Sequence, residues 1–222
     1  METYKVTLTG TSPLLMHRDN LAFSEKIKAW QIMPENKEHS KAGDDRSPAW
    51  TWIGCLYHDG QFLGMDSDNL MTMLREGGAK LRTGKKNETY KKQTQYGLLI
   101  NDNLCSPLYI NGQQIPVAPI EQLIGKLDFS QHLTTAEELG FELLVKRAKI
   151  GANKHVRVRP MFRNWQVVAS ISVIDPEVSG ITQEILQRIL DCAGAQCGLC
   201  DWRPSSKTPG QFGRFQAKVE TA

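Results

Sequence analysis

The chain has 222 residues, 40% of them hydrophobic and 23% charged, with a mean hydropathy of −0.39. That is length enough for a sizeable core without disulfide staples, and the composition excludes a disordered or membrane-embedded chain. Lys and Arg number 27 against 24 Asp and Glu, and a formal charge of +3 does not by itself name a polyanionic partner.

No run reaches the roughly 18 apolar residues of a membrane span, and the amino terminus lacks a basic segment followed by an apolar one, so a cytoplasmic chain is expected. The five cysteines, at 55, 105, 192, 197 and 200, are odd in number and irregular in spacing, which fits reduced thiols.

In chain order, residues 4–9 alternate Tyr4, Val6 and Leu8 with polar partners and predict a half-buried strand. Residues 21–33 carry Phe23, Ile27 and Trp30 at helical spacing, with Pro34 as a stop, and 34–48 turn polar as a loop insertion. The aromatic run 47–57 followed by His58-Asp59-Gly60 reads as a hairpin. Asp66 or Ser67 offers an N-cap to a helix over 67–80, although Gly77-Gly78 weakens its last turn. Short strands at 98–100 and 108–110 and a short helix at 121–124 follow.

Residues 141–163, turning at Gly151-Ala152-Asn153, read as a projecting β-ribbon whose second strand ends at Pro160. Beyond it, 165–173 alternates as a strand, 181–193 stripes one helix, and 212–220 closes as a strand with Phe215, Ala217 and Val219 inward. The order of these elements predicts an α+β chain of one domain, 1–222: a modified ferredoxin-like βαββαβ sheet with insertions.

The charge is unevenly spread. A basic loop, 80–96, carries Lys85, Lys86, Lys91 and Lys92; within the ribbon, 146–163 holds Lys146, Arg147, Lys149, Lys154, Arg157, Arg159 and Arg163 and no acid. His155, Arg157 and Arg159 alternate with valines, so one strand face should carry all three. Such a stripe with aromatics suits single-stranded nucleic acid, where bases stack and cations track phosphates. The Gly-rich segment 197–215 adds Trp202, Arg203, Lys207, Phe212 and Arg214. The plainer alternative is two solvated edges and a tight helix-to-strand connection.

Three segments carry a family likeness: Gly10-Thr-Ser-Pro-Leu-Leu-Met-His17, Arg157-Val-Arg-Pro-Met-Phe162, and Gly198-Leu-Cys-Asp-Trp-Arg-Pro-Ser205 leading to Gly210-Gln-Phe-Gly-Arg-Phe215. On these the chain resembles the RAMP superfamily of CRISPR-associated RNA-binding proteins, and phage-encoded proteins sharing that layout. The resemblance implies an RRM-like ferredoxin fold whose glycine-rich loop helps hold single-stranded RNA, with some members polymerising along the strand. The chain departs from the pattern at Cys200, where further glycine is usual.

The expected function is therefore binding of single-stranded RNA, or of ssDNA, without catalysis and with self-association along the strand as an option. No cofactor, metal or membrane is called for. Some RAMP proteins cleave RNA, so His17 is a candidate acid or base for metal-independent ribonuclease activity. A third reading is a protein-interaction module that mimics or inhibits an RNA-guided complex. Cys192, Cys197 and Cys200 could supply three thiolates to zinc, but no fourth ligand is apparent and small semi-buried residues explain them better.

Overall fold

The computed structural model describes residues 1–222, with Ile150 described through its backbone alone. The chain is mixed α+β with antiparallel sheets. β1 (Glu2–Gly10) leads to a two-residue strand β2 (Leu14–Leu15), helix α1 (Leu21–Gln31) and two 3₁₀ turns, Pro34–His39 and Thr51–Cys55. β3 (Gly64–Asp66) feeds α2 (Ser67–Gly78), then α3 (Lys91–Gly97), β4 (Leu98–Ile100), β5 (Cys105–Ile110), β6 (Gln113–Gln114), α4 (Ala118–Glu121) and α5 (Phe129–Glu138). β7 (Glu142–Ile150) and β8 (Asn153–Phe162) form the ribbon. β9 (Trp165–Val173), α6 (Pro176–Ser179), α7 (Gln183–Cys192), a π-helical turn Ala193–Cys197 and β10 (Phe215–Thr221) complete the chain.

The central sheet runs β10-β1-β9-β5-β3, with β4 pairing along β9 and β6 along β5. Tyr4, Val6 and Leu8 of β1 and Trp165, Val167, Ala169, Ile171 and Val173 of β9 are all buried, as period-two alternation requires of a half-buried strand. α2 contributes Leu70, Met73 and Leu74 to the same core, and α7 contributes Leu186, Ile189 and Leu190. The two helices touch at Gly77, where a Cβ would lie 2.5 Å from the Ile189 carbonyl oxygen. The glycine that weakens helix propensity is therefore what permits the close crossing, and α2 runs through Gly78.

Several expectations are corrected. Residues 47–57 do not form a hairpin: Trp52, Ile53, Gly54 and Cys55 are buried on every side of a 3₁₀ turn packed on β8, so no alternation selects a strand. Only an isolated bridge between His58 and Leu63 closes the turn that follows. The basic segment 80–96 is not simply a loop, since Arg82 bridges Thr89 and α3 begins at Lys91. α5 was not foreseen; Asp128 caps it by accepting from the Ser130 N–H, and buried His132 anchors it.

Pro160 does not end β8. Its carbonyl accepts from the Met16 N–H, so its missing N–H lies on the β2 side, where the ladder is only two residues long and the long β7–β8 pairing loses nothing. The closing strand starts at Phe215 rather than at 212, because the preceding residues belong to a tight loop. The 34–48 insertion is docked: Asp44 bridges Val156, the Asp45 N–H donates to the Val156 carbonyl, and the Val156 N–H donates to the Gly43 carbonyl. No described helix is long and apolar enough to cross a membrane.

Candidate functional site

The three segments singled out in the sequence meet in space. β2 pairs with the end of β8 (Leu14 with Phe162, Leu15 with Met161), while on its other side the Asp201 N–H donates to the Leu15 carbonyl and the Gly213 N–H to the Pro13 carbonyl. The stretch from Gly10 to His17 thus forms the seam between the ribbon and the 198–214 loop. A groove of about 760 Å³ opens there. Lys146, Arg147, Lys149, Arg157, Arg159 and Lys207 line it beside Trp202 and His17, against one lining carboxylate, Asp201.

The loop wall is built on unusual backbone. α7 unwinds into the π-helical turn Ala193–Cys197; Cys200 (φ 61°) and Trp202 (φ 50°) then adopt the left-handed conformation that side chains disfavour by roughly 1–2 kcal/mol. Cys200 thus takes the backbone state expected of a glycine at that place. Tertiary bonds hold the strained loop. Arg203 donates from Nη2 to Glu76 of α2 at 3.0 Å and from Nη1 to the Cys200 carbonyl at 3.0 Å. Gly210 lies against Trp202, where a Cβ would fall 2.0 Å from the Trp202 carbonyl oxygen. The indole itself stacks on Phe212 at 5.6 Å and carries the Lys146 Nζ 3.6 Å from its ring centroid.

On the ribbon wall the charge is less free than the sequence suggests. Acids that are distant in the chain return in space. The carboxylate of Asp45, 9% exposed, accepts from Arg157 Nη1 at 2.8 Å, from Arg159 Nη1 at 2.9 Å and from the Val158 N–H at 3.2 Å. Arg163 pairs with Glu142. Arg157 and Arg159 therefore do not stand as two uncompensated cations.

His17 sits at the junction. Arg159 Nη2 donates to its Nε2 at 3.1 Å, and its Nδ1 faces Asp201 at 3.6 Å. Burial, then the Arg159 charge, holds the imidazole below its ordinary value, with Asp201 opposing. A neutral ring whose Nε2 lone pair is taken by a guanidinium offers no free base at that nitrogen. Behind this cluster a second, polar cavity of about 210 Å³ shares His17, Arg157 and Arg159 with the groove.

The other expected site residues lie elsewhere. Lys85, Lys86, Lys91 and Lys92 are exposed on the turn before α3 and on its first residues, away from the groove lining. Lys154 is at the ribbon tip, and His155 faces Gly43 of the docked insertion. Arg203 staples the loop to Glu76, Arg214 donates to the Ala195 carbonyl, and neither lines the groove. Asp44-Asp45 reads in the sequence only as a weak Mg²⁺ candidate and Asp201 carries no reading of its own, because no local pattern marks a carboxylate whose partner comes from a distant part of the chain.

The open face of the central sheet does not present an aromatic platform. Tyr109, opposite Gln166, is a lone aromatic there among Lys5, Thr7, Thr9, Val168 and Ser170, and Asn101 donates to Ser170 and Ser172. The five cysteines are free thiols; burial pushes Cys55 and Cys197 up to about 11. No cluster of metal-ligating side chains occurs among the described residues. No protein-family model matches the chain, and no curated protein matches it.

Proposed function

We propose that the protein binds single-stranded nucleic acid, RNA in preference, in the groove between the ribbon and the 198–214 loop, and does not cleave it. The observation that carries this reading is the convergence of four cations without a carboxylate partner among the described residues, Lys146, Arg147, Lys149 and Lys207, and the Trp202 indole from the two walls of one groove. Cations spaced along a groove track a phosphate backbone, and an aromatic ring supplies a stacking surface for a base. The occupied Nε2 of His17 favours binding over the ribonuclease alternative.

The same proposal takes the fold as a modified ferredoxin-like one. In support, β1, α2, β5, β9, α7 and β10 follow the order βαββαβ, and their strands lie β10-β1-β9-β5. The meeting of the 10–17, 157–162 and 198–215 segments at one groove supports the RAMP likeness, and self-association along a bound strand belongs to that reading.

Fluorescence anisotropy with labelled single-stranded RNA, single-stranded DNA and duplex DNA tests the function. Lys146, Arg147, Lys149 and Lys207 are the groove cations without a carboxylate partner among the described residues, so the logarithm of affinity should fall with that of salt at a slope of about −3. Saturable binding to single strands with that slope is expected. Failure to bind any nucleic acid, with co-purification of an acidic protein instead, overturns the proposal in favour of a protein-interaction module.

A further inference from the structure

We infer that Arg157 reads bases rather than phosphates, selecting a base edge with two adjacent acceptors: guanine O6 with N7, or cytosine O2 with N3. The inference rests on the groove being the nucleic-acid site proposed above.

Arg157 is anchored at one end and open at the other. Nη1 donates to Asp45 Oδ1 at 2.8 Å, while Nε and Nη2 have no hydrogen-bond partner among the described residues; the side chain lines the groove and is 33% exposed. Arg159 beside it is spent, donating to Asp45, the Val158 carbonyl and His17, and is only 13% exposed. Asp45 is kept in place by backbone bonding of the insertion to Val156. The free edge of Arg157 is thus a planar fork fixed in orientation before any ligand arrives.

Phosphate is a poor match for that fork. Counterion release drives phosphate binding, and the two guanidiniums already face two carboxylates, Asp45 against both and Asp201 3.8 Å from Arg159 Nε, so Arg157 has little counterion to release. A phosphate there would also place a second anion on a cation shared with Asp45. A neutral base edge meets neither cost. Two parallel N–H donors match guanine O6 and N7, and the chemically equivalent pair on cytosine, O2 and N3, is open in a single strand. On their Watson–Crick and Hoogsteen edges adenine and uracil present no two adjacent acceptors, because the adenine amino group lies beside N1 and N7 and the uracil N3–H lies between O2 and O4. A lysine ammonium at this position would keep the charge and lose the fork.

The test measures anisotropy of oligo(U), oligo(A), oligo(C) and alternating oligo(UG) RNA with the wild type, Arg157→Lys and Asp45→Asn across a salt series. The wild type should bind oligo(C) and oligo(UG) about tenfold tighter than oligo(U) and oligo(A); if only one of the pair gains, that names guanine or cytosine as the base read. Arg157→Lys should lose the preference, with oligo(C) and oligo(UG) affinities falling about tenfold toward those of oligo(U) and oligo(A). Asp45→Asn should steepen the slope by about 0.7, one phosphate contact, as Arg157 is released to the backbone.

Wild-type binding that is equal for all four RNAs overturns the inference and leaves the proposed function standing. A preference that survives Arg157→Lys overturns the assignment to Arg157. Should Arg157→Lys fail to fold, the Asp45→Asn slope decides, and an unchanged slope counts against the neutralisation on which the inference depends. Absence of binding to every RNA defeats the proposed function itself.

Discussion

The ammonium of Lys146, on the ribbon, lies 3.6 Å from the ring centroid of Trp202, on the glycine-rich loop, and joins the two walls of the groove. A cation over an indole is worth about 0.5–1 kcal/mol at an exposed site, enough to bias the walls together and weak enough to be displaced by a base. Trp202→Ala should therefore weaken binding by about 1–3 kcal/mol, the usual worth of one stacked base. Anisotropy titration at constant salt reads this, and wild-type affinity in the variant removes stacking from the account.

Asp45 should matter to stability as well. Its removal leaves Arg157 and Arg159 side by side without their shared carboxylate, at 33% and 13% exposure. Breaking a buried pair costs about 3–5 kcal/mol, and the partial exposure of Arg157 places Asp45→Ala near the lower end, about 3 kcal/mol. Asp45→Asn retains acceptor oxygen and should lose less. Urea denaturation of both variants checks the order; equal stability of Asp45→Ala and the wild type would show the insertion to be held by its backbone bonds alone.

What was legible in the sequence follows from where the signal was local. β1, β9 and α7 each bury one face of a regular element, so their periodicities survive in the primary structure. The ribbon was marked by a glycine-containing turn between two strands that pair along nearly their whole length. Residues 47–57 carry no period because they are enclosed on all sides. The groove was half legible: Lys146, Arg157 and Trp202 stood out by type and spacing, whereas the Asp45 contact depends on an insertion that pairs with β8 only after folding. A count of charges along the chain therefore overstated the free positive field of the ribbon.

Acid should destabilise the fold through two histidines. Buried His132 accepts from Trp52 Nε1 at its Nδ1 and faces the Lys126 carbonyl through Nε2, an arrangement that requires the neutral ring. Burial holds it below the ordinary value of 6.5, as burial and Arg159 do for His17. The unfolded chain then binds more protons than the folded one below about pH 6.5, so stability is full above that pH and declines as pH falls through the folded values. Buried His132 contributes a slope of up to about 1.4 kcal/mol per pH unit, and His17, with a side chain 48% exposed, contributes less because solvent screens it. Denaturation midpoints at about pH 7.5 and about pH 5.5 test this; a flat profile would mean that neither ring is held neutral by the fold.

Long incubation with labelled RNA, with and without chelator, should leave the strand intact. Arg159 occupies the Nε2 lone pair of His17, and Asp201 lies toward Nδ1, so neither nitrogen is aimed without a partner at the groove. Gel analysis of the products reads the outcome. Cleavage that persists in chelator and disappears in His17→Ala would restore the ribonuclease reading.

The exposed edge of β10 carries its own protection against adding strands from other copies. Gln187 of α7 donates from Nε2 to the Ala217 carbonyl and accepts the Val219 N–H at Oε1, each at 2.9 Å, while Gln183 donates to the Val219 carbonyl at 3.1 Å. Unpaired edge groups are a template for pairing between chains, and two side-chain amides here satisfy three of them. Gln183→Ala with Gln187→Ala should cost about 1 kcal/mol for each of these bonds and leave the edge open. Sedimentation velocity of the ligand-free double variant should show concentration-dependent association beyond that of the wild type. Identical sedimentation would mean that the alternating Gln216 and Lys218 side chains already keep a second strand away.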